Sequence, residues 1–360
     1  MFQQGLVTVS LLAVSFVNGF TPSIMTSYPA TKQTSSTTTS LYALGVLARK
    51  AKEADVRKYC EGGIDDSVME KVKLMKENLP KLSETPDEDG PGPMQTGLTK
   101  RKGTIAIVAE YKRNFSVESG FLKEIFEPEN MSPVFREFGA KAIAVMADER
   151  MGGGTYDDIV AIVKEQEYAK GDVPGPLPVI CSDLIVDEVQ IARSAAAGAK
   201  AVQVTFGVAG KEKVEFFIKC ARAVGMETIV AVSNKDEAQE AVDVGGRIIA
   251  VTGVDDVDEK FAVIEGLSFP ENAAVCTIAN ILANDNKALE EVEEAWVCRD
   301  KGFNAVWVSD ALYKSGNDPS EHAGAIIKAM GAKSSVKWAS AKAMGGKGEG
   351  AREYLGDILM

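Results

Sequence analysis

Residues 138–148 read FGAKAIAVMAD, and the same phrase returns as AGAKAVQVTF at 197–206, VGMETIVAVS at 224–233, VGGRIIAVTG at 244–253 and KGFNAVWVSD at 301–310. In each, a helix-like stretch closes on glycine and a short apolar run follows. Glycine just past a helix is the usual stop, because it enters the left-handed conformation without a Cβ penalty. The runs are continuous, not alternating, as in strands covered on both faces. Further runs at Ile105–Glu110, Leu177–Ser182 and Ala273–Ile278 bring the strands to eight, each followed by helix-like sequence. Eight such units predict an α/β fold, a closed (β/α)8 barrel. The structural alternative is an open doubly wound sheet, which normally carries a Gly-rich phosphate turn after its first strand. Here that turn reads YKRNFSVESG, residues 111–120.

The first strand lies in TIAIVAEYKR, residues 104–113. Side chains alternate along a strand, so Glu110 and Lys112 share a face at its C-terminal end. In a parallel barrel that end carries the chemistry. The plain alternative is a surface ion pair at a strand exit.

The chain has 360 residues, 45% of them hydrophobic, enough for one large core with extensions. Its formal charge of −12, with no basic stripe, argues against nucleic acid as a partner. The five cysteines (Cys60, Cys181, Cys220, Cys276, Cys298) show no CxxC spacing, against a disulfide framework or a zinc site. Cys181 and Cys276 read as small core residues. The single histidine, His322, reads as a solvated residue of the last helix, so no Ser–His triad or His-ligated metal is expected. No cofactor is implied.

The N-terminus differs in kind. No acid precedes Glu53, and an apolar stretch from Gly5 to Val17, too short to span a membrane, leads to Val17-Asn18-Gly19 and Phe20. A Ser/Thr-rich stretch follows. Residues 1–42 therefore resemble a bipartite plastid presequence of algae with complex plastids, giving a stromal mature protein free of membrane. Plain secretion or a disordered tail are the alternatives. Residues 43–96 read as two amphipathic helices, the second capped by Asp65 or Asp66, and an acidic Pro/Gly linker. The barrel spans 97–332. Residues 333–360 read as a mobile tail whose end, with Tyr354, Leu355, Ile358 and Leu359 on one side, docks on the chain itself or on a plastid protein partner.

AEYKR after strand one, VMADERMGGGTYDDI after strand two and PVICSDLIVDEVQI around strand three resemble indole-3-glycerol phosphate synthase over residues 42–330. The resemblance implies a (β/α)8 barrel with preceding helices. It implies a carboxy-lyase of tryptophan biosynthesis, which closes the indole ring of a phosphorylated anilino-deoxyribulose with loss of carbon dioxide and water. Glu110 and Lys112 match the family's strand-one acid and base, which the resemblance makes catalytic. Ser116 and Gly120 fall in its phosphate-loop segment, and Asp183 matches its aspartate after strand three.

Several positions depart. The family's second catalytic lysine falls on Ser182, its strand-five glutamate on Ala231, and its strand-six Asn-x-Arg on Thr252 and Val254. Its strand-seven Glu-Ser-Gly falls on Ile278, Ala279 and Asn280, and its phosphate-holding Gly-Ser on Ser309 and Asp310. A hydroxyl cannot replace an ammonium as general acid. A carboxylate 4 Å from a phosphate charge costs about 4 kcal/mol at intermediate dielectric. Ser116, Ser182, Asp183, Thr252 and Ser309 are the candidate substrate-binding residues. Glu110, Lys112, Ser182, Ala231, Thr252, Ile278 and Ser309 are expected to ring one mouth, wider and more apolar than a phosphate-sugar site. The readings left open are a synthase with substituted residues, a non-catalytic binding or assembly barrel, and a different reaction on another ligand.

Overall fold

The computed structural model describes residues 36–82, 90–99, 103–114, 126–271, 273–283, 289–313 and 319–332. The N-terminal segment through residue 35, the middle of the acidic linker, Ser116, Gly120 and the tail from 333 lie outside the described residues. The order opens with α1 (Ser36–Glu61), α2 (Asp66–Asn78), α3 (Pro93–Leu98), β1 (Ala106–Tyr111) and α4 (Pro128–Glu137). It continues with β2 (Ala142–Met146), α5 (Tyr156–Tyr168), β3 (Val179–Ser182), α6 (Glu188–Ala196), β4 (Ala201–Thr205), α7 (Phe206–Ala209) and α8 (Lys211–Ala223). Then come β5 (Glu227–Val232), α9 (Lys235–Asp243), β6 (Ile248–Val251), α10 (Val257–Ile264) and β7 (Cys276–Ile281). The order ends with α11 (Leu289–Lys301), β8 (Ala305–Val308) and α12 (Pro319–Met330). Every strand pairs with its sequence neighbour in parallel, and β8 closes on β1. The chain is a (β/α)8 barrel.

Strand parity divides two cores. Inward residues such as Val108, Ala144, Ile180, Ile229, Ile278 and Trp307 fill the lumen, while outward ones such as Ile107, Val145, Cys181 and Val204 meet the helices. Many inward residues are alanines (Ala106, Ala142, Ala201, Ala250, Ala305), which leaves room for Trp307 inside. The helix-stop reading is physical: Gly198 has φ +93° and Gly302 φ +109°, where side chains are strained.

Four expectations are corrected. Strand seven starts at Cys276, not Ala273, and runs on to Ile281, since a continuous apolar run conceals its own register. Part of the linker is structured: α3 seals the barrel floor, with Met94 and Leu98 in the lumen core. Its first turn is capped by the inward Glu227 of β5, whose carboxylate accepts from Met94 N (2.6 Å) and Gln95 N (3.0 Å). His322 is buried, 6% exposed, on α12, which packs between α4 and α11. Asp65 takes the N-cap position of α2, but its carboxylate accepts from Tyr59 OH (3.0 Å) and caps nothing. Among the described residues no helix is long and apolar enough to cross a membrane.

Candidate active site

Glu110 and Lys112 emerge at the mouth, both buried. Burial pushes the Glu110 carboxyl up from its usual value, against the pull of the Lys112 ammonium. Ser182, at the end of β3, donates to Glu110 Oε1 (3.0 Å), with Gln203 Oε1 as its alternative acceptor at 3.2 Å. A hydroxyl has one proton, so only one of these bonds forms at a time.

Lys112 is not free to meet a ligand. Its Nζ forms an ion pair with Asp310, the side chains being 3% and 1% exposed. Asp310 opens a 3-10 turn, Asp310–Tyr313, whose four residues are buried. Tyr313 OH donates to Glu110 O (2.8 Å) and accepts from Lys112 N (3.1 Å), tying this turn to the β1 exit. The segment that the resemblance makes a phosphate clamp is thus filled by the chain's own side chains.

Asp183 faces a different neighbourhood. It accepts from Tyr156 OH (2.9 Å), Gln190 Nε2 (2.9 Å) and Leu184 N (2.7 Å), and pairs with Lys52 of α1. Lys52 also reaches Asp148 after β2, at 2.7 Å. Burial opposes charge on Lys52, but the Asp183 and Asp148 carboxylates hold its pKa above the usual value. Arg193 adds a second tie, lying between the rings of Tyr59 (4.4 Å) and Tyr156 (4.1 Å). The result is a clasp holding α1 against the β2–β3 side of the mouth.

Inside the mouth, Glu110, Gln203, Ala250, Thr252, Asn280 and Trp307 line a cavity of about 10 Å³, room for one water. Among the described residues the mouth is therefore narrow, not wide, and its lining mixes the polar Glu110, Gln203, Thr252 and Asn280 with the apolar Ala250 and Trp307. The reason is that the Trp307, Gln203 and Asn280 side chains project into the space that Ala250 leaves. The strand-seven residue lining the cavity is Asn280, whereas Ile278 lies deeper, level with Ala250 and Ala305. Thr252 lines the cavity and Ser309 lies buried beside Asp310. Asn280 Oδ1 has no hydrogen-bond partner among the described residues, while the Ser309 hydroxyl lies by the Glu110 carboxylate and favours its charged form. Glu110, Lys112, Ser182, Thr252 and Ser309 thus gather at one mouth, Asp183 joins the clasp beside it, and Ser116 lies outside the described residues. No group of three or more His, Cys, Asp or Glu among the described residues is placed to hold a metal.

Sequence reasoning missed Lys52, Gln203, Asn280 and Trp307. Gln203 and Asn280 did carry a signal, as polar residues interrupting apolar strands at inward positions. Lys52 carried none, since nothing local distinguishes it from other lysines of α1.

The comparisons with known proteins agree with this architecture. The family described as indole-3-glycerol phosphate synthase matches residues 60–318. The indole-3-glycerol phosphate synthase of Leptospira interrogans is 33% identical over 148 residues, 41% of this chain and 55% of that protein. The Pelodictyon phaeoclathratiforme synthase is 26% identical over 221 residues, 61% of this chain and 81% of that protein. The chain spans about half the length of the first of these relatives. A match running from the end of α1 to the last barrel loop, over a closed eight-stranded barrel, places the chain in the indole-3-glycerol phosphate synthase family.

Proposed function

We propose that this chain is an indole-3-glycerol phosphate synthase-like barrel in which ring closure no longer runs at an enzyme's rate. One observation carries the reading: the strand-three position expected to present an ammonium presents Ser182, whose hydroxyl is hydrogen-bonded to Glu110. Dehydration during ring closure needs a proton donor beside a proton acceptor, and a hydroxyl with a pKa far above 7 does not supply one. Loss of one such group typically costs 10²–10⁴-fold. The barrel then serves as a binding or assembly subunit. The test is steady-state formation of indole-glycerol phosphate by the full chain, with Lys112→Ala as control and Ser182→Lys as gain of function. The expected result is a native rate close to the Lys112→Ala background. Turnover at an ordinary enzyme rate, abolished by Lys112→Ala, overturns the proposal.

The second reading is retained catalysis with substituted residues, favoured by the buried Glu110 and Lys112 on one inward face. A phosphorylated substrate is the ligand on that reading. Plastid import and a partner for the tail complete the proposal, supported by the acid-free N-terminus before Glu53 and the helical spacing of Tyr354, Leu355, Ile358 and Leu359. A fluorescent fusion of residues 1–45 should reach the plastid and Phe20→Ala should divert it. A cytosolic signal from the intact fusion sinks that part. Deleting residues 334–360 should remove a partner in a pull-down without lowering the melting temperature.

A further inference from the structure

Asp310 is more than a substitution unfavourable to phosphate. We infer that its carboxylate is a tethered anion, occupying the Lys112 ammonium in place of a ligand carboxylate or phosphate, and that Lys112 is a latent anion site held shut by its own chain. The inference rests on the loss-of-turnover reading above, and deepens it by saying what closes the site.

Three observations carry it. First, the pair is almost wholly buried, 3% and 1% exposed, and a buried ammonium demands an anion at its side. Asp310 meets that demand from within. A second anion would join Glu110 and Asp310 around one lysine. Second, the carboxylate is held in place. Its turn is closed by Leu312 N donating to Ser309 O (2.9 Å), and Tyr313 of the same turn bridges Glu110 O and Lys112 N. Tyr313 also packs edge-on against Phe126, with ring centres 5.5 Å apart. The backbone from which the Asp310 carboxylate projects therefore cannot move away without detaching Tyr313 from β1. Third, the adjoining cavity of about 10 Å³ takes a water and not a phosphate.

Shortening the side chain should turn the tethered anion into a soluble one. Asp310→Ala leaves a space of roughly carboxylate size beside Lys112. Melting temperatures are measured for the native chain, Asp310→Ala, Asp310→Asn and the double variant Asp310→Leu with Lys112→Met. Each is titrated with sodium formate and with inorganic phosphate against chloride at constant ionic strength. The expected result is a saturable formate-dependent rise of at least ~2 °C in Asp310→Ala, absent from the native chain and from the double variant. Should Asp310→Ala fail to fold in chloride, its recovery of folding in formate carries the test, with Asp310→Asn, which keeps the volume and leaves formate no space, as the unresponsive control; failure to fold in formate as well counts against the inference. Equal responses in native and variant chains overturn the inference, as does saturable phosphate binding by the native chain. The readout is binding, so failure here leaves the turnover reading standing, and turnover measurements do not enter the result.

Discussion

The barrel points a glutamate inward at each end, half-buried Glu227 at the floor and buried Glu110 at the mouth, and the two are served differently. At the floor, Glu227 receives two backbone N–H groups from the first turn of α3, at 2.6 and 3.0 Å. At the mouth, Glu110 receives the Ser182 hydroxyl, shared with Gln203, and lies by that of Ser309, while the nearby ammonium is paired with Asp310. The floor carboxylate is satisfied by fixed backbone dipoles at a helix start, where negative charge is favoured. The mouth carboxylate depends on side chains drawn from several strands. Unpaired buried atoms do not follow that division: Asn280 Oδ1 lies at the mouth and Thr228 Oγ1 beside Glu227 on β5. A floor built for stability and a mouth still carrying polar residues of a binding site is the arrangement expected of this fold.

The comparison breaks most readily at Asp310. Asp310→Ala leaves a buried ammonium without its anion and should cost about 3–5 kcal/mol in urea unfolding, whereas Asp310→Leu with Lys112→Met should be close to neutral. A cost below 1 kcal/mol for the single variant would mean that the pair is wetter than its burial indicates.

At the floor, Glu227→Ala strands the Met94 and Gln95 N–H groups and should cost about 2–3 kcal/mol, while Glu227→Gln should cost less. Gly92→Ala is a steric check, because a Cβ there would strike the Glu227 carboxylate. If both substitutions leave urea unfolding unchanged, α3 is not the floor's seal.

The clasp is expected to give a smaller effect. Lys52→Met should cost about 1.5 kcal/mol, since Asp183 keeps three other donors. Hydrogen exchange should rise in α1 and not in α3. Equal loosening of both would argue against a local tie.

The smallest effect is Glu110→Gln, under about 1 kcal/mol at neutral pH, since the amide keeps an acceptor for Ser182. The sharper readout is pH. Burial raises the Glu110 pKa in the folded chain above the ordinary 4.5, so the folded state holds its proton more tightly than the unfolded state. Stability should therefore fall as pH rises from 4.5 through the raised value. That component of the slope should vanish in Glu110→Gln, and an unchanged slope would assign it to another group.

Much of the mouth was legible because strand parity is local. Glu110, Ser182, Thr252 and Ser309 each end an apolar run, and the fold brings all four to one end. Strand seven shows the limit. In AAVCTIANIL the apolar run sets no end of its own, so Ile278 read as the mouth residue although the polar interruption two residues on, Asn280, holds that place. The linker failed for another reason: Pro93 after Gly92 serves a turn or a first helical position equally, and the distant Glu227 caps the helix that forms.

By itself, the sequence determined the repeating strand–helix unit, the parallel barrel and the end at which Glu110 and Lys112 emerge. Those follow from glycine stops and apolar runs, whose physics acts within a few residues. Tertiary structure alone decided that Lys112 pairs with Asp310, that Lys52 clasps Asp183 and that Trp307 narrows the mouth. Each of these joins groups far apart in the chain, and their energies depend on burial and on distance, which exist only once the barrel has closed.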